Sequence, residues 1–121
     1  RVVWLGHLDD VAPLMASADI GVAPSVCPEA CSLTIIEFLR QGVPVIASDT
    51  GANPELVETG ATGLLVPAGD SDALAGAISR LASDHAMRRT MAEAARKEAS
   101  ARFTYDNFYR QISAIYTPPA E

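Results

Sequence analysis

The chain has 121 residues, 49% of them hydrophobic and 20% charged, which is the make-up of one globular domain with a single core. A formal net charge of −6 argues against nucleic acid as a main partner. No apolar run approaches the ~18 residues that a membrane-crossing helix needs.

Val2 to Leu5 reads as a strand, and Gly6-His7-Leu8 as a turn. Asp9 or Asp10 caps a short helix over about 11–18, with Pro13 tolerated in its first turn. Leu14, Met15 and Ala18 form its inner face, packed on a sheet. Ile20 to Ala23 is a second short strand, and Pro24-Ser25 stops it. A loop covers Val26 to Cys31. Its two cysteines, Cys27 and Cys31, have no histidine near them and make no zinc pattern. They read as small, partly buried thiols in a reducing cytosol.

A helix follows from Leu33 to Gln41, with Ser32 as N-cap and Gly42 with Pro44 as its stop. Val43 to Ala47 is a strand with almost no polar residue. Strand, helix and all-apolar strand make a β-α-β unit, so a parallel sheet covered on both faces is expected. Asn53 is expected to cap a one- or two-turn helix with Pro54 at its first position and Glu55 beside the dipole. Leu64 to Val66 is the last strand. Asp70 or Ser71 starts a helix over 71–83, with Leu74, Ala77, Ile78 and Leu81 at helical spacing. A second helix over about 86–101 turns Met87, Met91, Ala94 and Ala95 inward. Thr104 caps a last helix with Phe108, Ile112, Ile115 and Tyr116 on one face. The tail 117–121 is expected to be disordered. The fold class is therefore α/β: a Rossmann-like parallel sheet of about four strands, flanked by helices, with further helices at the C-terminal end.

The segment 22–48 concentrates the chemistry. Glu29 lies in the loop before the central helix and Glu37 lies inside that helix. Leu33, Thr34 and Ile35 supply helix-start N–H groups at a positive dipole end. A strand end opening onto a helix N-terminus is where open α/β sheets bind ligands. Carboxylates accept from hydroxyls and amides take phosphate, so the pair suits a nucleotide sugar. The helix around Glu37 is apolar nearly all round, so it is expected to be mostly buried and its carboxylate to need a partner.

The run Pro24-Ser25-x-x-Pro28-Glu29-Ala30-Cys31-Ser32-Leu33-Thr34-Ile35-Ile36-Glu37, followed by Gly42-Val43-Pro44-Val45-Ile46-Ala47, resembles the signature of the family 4 retaining glycosyltransferases. These enzymes have the GT-B fold, two Rossmann-like domains facing a cleft. The similarity continues upstream through Leu5-Gly6-His7-Leu8 and downstream through Pro54-Glu55-Leu56-Val57 and Thr62-Gly63-Leu64-Leu65-Val66, over roughly residues 2–85. The resemblance implies part of a C-terminal, donor-binding domain over 1–116. It implies that Glu29 faces the donor sugar, as the catalytic candidate. It implies that Glu37 accepts from ribose hydroxyls and that Ser25 stands at the mouth of the donor cleft. Cys31 and Ser32 replace the family's usual Phe-Gly, so these two residues, with Leu33 and Thr34, are the candidates for the phosphate approach.

By the same resemblance, the donor is a nucleoside diphosphate sugar, no metal or other cofactor is needed, and a separate N-terminal domain holds the acceptor. The parent enzyme would be cytoplasmic, reaching a membrane only through its other parts. The family's arginine and lysine that clamp the diphosphate would precede this chain, so the fragment is expected to be inactive and to bind donor weakly. The first strand would also lose its neighbours. It either slides in beside Ile20–Ala23, or an exposed edge there drives dimerisation. Three other readings stand beside this one: a nucleotide-sugar epimerase of the same fold, a signalling receiver domain using Asp9, Asp10 and Asp49, and a non-catalytic nucleotide-sugar-binding module.

Overall fold

A computed structural model describes residues 1–116. The expected tail 117–121 lies outside the described residues. The elements run α1 (Ala12–Ala16), β1 (Gly21–Ala23), α2 (Leu33–Gln41), β2 (Val45–Ser48), α3 (Asn53–Leu56), β3 (Gly63–Val66), α4 (Ser71–Ser83), α5 (His85–Arg102) and α6 (Tyr105–Tyr116). Among the described residues no helix is long and apolar enough to cross a membrane.

The sheet is parallel, in the order β1-β2-β3. All four residues of β2 are buried, as its apolar sequence requires of a strand covered on both faces. Successive side chains on a strand point to opposite faces. Val45 and Ala47 join a cluster with Ile35, Leu39, Leu56, Ala95 and Ala99, under α2, α3 and α5. Ile46 joins Leu64, Val66, Leu81 and Met91, under α4 and α5. Each fully buried Ile or Leu contributes about 2 kcal/mol relative to exposure.

The central helix ends as its sequence dictates. Gly42 takes a left-handed φ of 71°, Gly42 N–H donates to Leu39 O and Val43 N–H donates to Phe38 O. This paired closure satisfies the last carbonyls and turns the chain into β2. It also moves the start of the strand to Val45 rather than Val43. Pro44 has no N–H, but its carbonyl accepts from Gly21 N–H at 2.9 Å. Asp70, Asp84 and Thr104 cap α4, α5 and α6 through their side-chain oxygens.

Several expectations are corrected. The sheet has three strands, not four, because Val2–Leu5 is not a strand. Its side chains are exposed, Trp4 by 93%. A strand must share its N–H and C=O groups with a neighbour, and Val2–Leu5 has none, so it does not slide in beside β1. The short helix α1 buries no residue, and it lies against α2 rather than on the sheet. Cys27 and Cys31 are free and exposed, not partly buried, because their loop crosses the surface. Asn53 is the first residue of α3 rather than its cap, which is Ala52, and its side chain turns inward.

Gly63 marks the tightest contact in the sheet. A Cβ there would overlap the Val45 carbonyl oxygen and lie 2.9 Å from its carbon. Gly63→Ala is therefore expected to lower unfolding free energy by about 3 kcal/mol or more, read by urea denaturation. A loss under about 1 kcal/mol would show that β2 and β3 separate easily.

Candidate functional site

The loop between β1 and α2 leaves the sheet at its carboxyl end and delivers the chain to the helix N-terminus. Ser32 occupies the N-cap position in an extended conformation and is buried, as its place before the helix predicts. Its side chain makes no capping hydrogen bond. The first main-chain bond of the helix is Ile36 N–H to Ser32 O at 3.3 Å. Among the described residues the amides of Leu33, Thr34 and Ile35 thus have neither an intrahelical acceptor nor a cap, the arrangement in which a helix start can take an anion. Arg96 donates to Gln41 O at 3.1 Å at the far end, so α2's negative pole is neutralised while its positive pole is open.

Glu29 is half-buried, and its Oε1 accepts a hydrogen bond from the Ser25 hydroxyl. The main chain of Glu29 is gripped from the loop after β2. Ala52 N–H donates to Glu29 O at 2.9 Å. Gly51, at φ 56°, lies so close that a Cβ would overlap Glu29 O and sit 2.5 Å from Glu29 N. Only a residue without a side chain fits there.

Glu37 is placed differently from expectation. It is exposed, not buried, because α2 sinks only Ile35 and Leu39 completely, and Leu33 is 67% exposed. No ion pair joins it to Arg40 among the described residues. Instead, Glu37, Arg40 and Gln41 form one wall of a cleft of about 450 Å³. The other wall is Asp9, Asp10, Val11, Ala12 and Met15. The structure therefore brings Ser25 and Glu29 together at the start of α2, and sets Glu37 about a turn further along the helix in its own cleft. Cys31 and Leu33 border a separate, more apolar groove against Phe103 and Phe108. A cavity of about 150 Å³ opens at the carboxyl ends of the strands between Pro24, Ser48 and Asp70.

Sequence reasoning missed the clamp from Gly51, Ala52 and Asn53, and it missed that Asp9 and Asp10 face Glu37. The N-cap of α1 is Val11 rather than Asp9 or Asp10, although Asp10 Oδ1, one position earlier, accepts from Ala12 N–H at 3.0 Å. That role hid the second one. Among the described residues no group of three or more His, Cys, Asp or Glu could hold a metal ion.

The family model described as glycosyl transferases, group 1, matches residues 1–84. A phosphatidyl-myo-inositol mannosyltransferase of Mycobacterium leprae is 37% identical over 96% of this chain, and the chain spans 31% of that protein. An N-acetyl-alpha-D-glucosaminyl L-malate synthase of Bacillus anthracis is 34% identical over 96% of the chain, which spans 30% of it. The chain thus covers less than a third of these relatives. Among solved structures, Anabaena HepE in complex with UDP superposes with a TM-score of 0.89 at 35% identity, over 93% of this chain and 31% of that one. HepE in complex with UDP-glucose gives 0.87 with the same identity and coverage.

Gly51→Ala is expected to push the Glu29 main chain away and force a strained φ. The effect is a stability loss of about 2 kcal/mol and displaced Ser25 and Glu29 amide resonances. Unmoved resonances would show that the clamp is dispensable.

Proposed function

The chain belongs to the group 1 glycosyl transferase family, and we propose that it is the donor-gripping part of such an enzyme, of the family 4, retaining kind. The observation that carries this reading is the set of three uncapped amides at the start of α2, with Ser25-held Glu29 beside them and Glu37 one turn away. The shared architecture with a neighbour solved with UDP-glucose supports it.

In this reading the donor is a nucleoside diphosphate sugar. Its diphosphate meets the N–H groups of Leu33, Thr34 and Ile35, with the Thr34 hydroxyl and the Cys31-Ser32 turn alongside. The helix dipole and these amides oppose the negative charge that grows on the diphosphate as the sugar leaves. Glu37 accepts from the ribose hydroxyls. Glu29 accepts from hydroxyls of the sugar, and Ser25 fixes the carboxylate so that its free oxygen faces them. A carboxylate fixed in advance loses less freedom on binding than a solvated one. No metal takes part in this proposal.

In this reading the acceptor site and further cations for the diphosphate are supplied by other parts of the parent enzyme, and the parent works at the cytoplasmic side, meeting a membrane only through those other parts. The open edge of β1 pairs there with further strands. In the isolated chain it is free to pair with a second copy. Such an isolated chain binds donor weakly and transfers nothing.

The test is titration of the chain with UDP-glucose, UDP and nucleoside diphosphate sugars of other bases, followed by amide NMR shifts. Weak binding that perturbs Leu33 to Ile35 is expected, weakened about ten-fold in Glu37→Ala. A chain whose helix-start amides respond to no nucleotide contradicts the proposal.

A further inference from the structure

Asn53 is polar, yet only 1% exposed. Its Nδ2 donates to Ser48 O at 3.0 Å, while its Oδ1 is buried and has no partner among the described residues. A buried carboxamide with half its capacity unmet is a poor stabiliser, since an apolar side chain of similar volume would avoid that cost. The position therefore calls for a reason other than packing.

The hydrogen bonds around it supply one. Ser48 is the last residue of β2, the buried centre of the sheet. Its carbonyl accepts from Asn53 Nδ2 and also from Thr50 N–H at 2.9 Å, and Asn53 N–H closes back on Thr50 O at 3.2 Å. The four residues between the ends of this bridge, Asp49 to Ala52, form one compact turn pinned to the strand. That turn presents Gly51 and Ala52 to Glu29. Among the described residues, Ala52 N–H to Glu29 O is the only main-chain hydrogen bond that ties Pro24–Cys31 to the rest of the protein. The main-chain tie of Glu29 to the sheet thus passes through this turn, which Asn53 fastens to Ser48 by its side chain beside the main-chain bonds of Asp49 and Thr50.

We propose that Asn53 is a positioning residue: by bridging the end of β2 to the start of α3 it sets where the Glu29 carboxylate stands. The inference deepens the donor-site reading above and rests on it for its functional meaning. Asn53 touches neither donor nor reacting atoms in this account. It acts through Ala52 and Gly51.

The experiment compares the 121-residue chain with Asn53→Ala and with Leu81→Ala, a core truncation on the buried face of α4 in the cluster of Ile46, Leu64, Val66 and Met91. In Asn53→Ala the Ala52 amide is expected to exchange with solvent about ten-fold faster than in wild type, beyond any change in the β3 amides. The amide and side-chain carboxyl resonances of Glu29 should move with it. In Leu81→Ala the β3 amides should loosen while Glu29 keeps its resonances. Unmoved Glu29 resonances in Asn53→Ala, or equal movement in both variants, overturns the proposal. Should Asn53→Ala not fold, wild type decides: an Ala52 amide that exchanges as fast as those of Leu33 and Thr34 overturns it, and a protected one supports it. UDP-glucose binding is read in the same samples, with a weakening of about five-fold expected in Asn53→Ala. Displaced Glu29 resonances in a chain that binds no UDP-glucose even as wild type would overturn the donor reading and leave the positioning of Glu29 standing.

Discussion

Every element of the site hangs from β2. Its four residues are buried on both faces and hydrogen-bonded along both edges. In parallel pairing, one strand between two others has no freedom to slip, because a shift of one residue would turn Ile46 into the layer that holds Val45 and Ala47. The approach of Gly63 to the Val45 carbonyl makes that register tighter still. From this fixed strand, Gly42 and Val43 lead back to α2, and Ser48 leads on to the turn that grips Glu29. The rigid centre of the protein thus lies directly beneath its chemically equipped rim.

The central helix divides its duties by face and by end. Ile35 and Leu39 anchor it, and the Phe38 ring packs so closely against Gly21 that a side chain there would meet it. The opposite side stays in water, with Glu37 and Arg40 beside a cleft. Glu37 is thus reachable from solvent, and among the described residues no ion pair with Arg40 occupies it. The two ends are equally unlike. Arg96 and the glycine closure satisfy the C-terminal carbonyls, while the N-terminal amides are left uncapped. Leaving these N–H groups uncapped forgoes a capping bond worth about 1 kcal/mol.

The surface away from this rim has a different character. The first eight residues and α6 display apolar side chains, among them Trp4, Phe108, Ile115 and Tyr116. No residue of α6 is buried, although one side of it is strongly apolar. These exposed apolar side chains contrast with the dense centre around β2.

The amino-acid sequence by itself determined the α/β class, the parallel pairing, the central helix from Leu33 to Gln41 and the cap at Thr104, and it narrowed the start of α4 to Asp70 or Ser71. These depend on short-range signals: apolar runs of strand length, glycine after the last helical turn, and side-chain oxygens one turn ahead of an amide. It also marked Glu29 and Glu37 as the carboxylates at the helix. The tertiary structure alone decided whether each signal found a partner. Val2–Leu5 has a strand's composition but pairs with no strand, the free edge of β1 included, so it stays exposed. The helix around Glu37 reads as apolar all round, yet only Ile35 and Leu39 are fully covered, so Glu37 stays exposed. Asn53 has the composition of a cap, but the geometry of the turn sends its carboxamide inward to Ser48. Local pattern states what a residue can do; contacts between segments distant in sequence select which of those roles it takes, because burial and hydrogen bonding are completed only there.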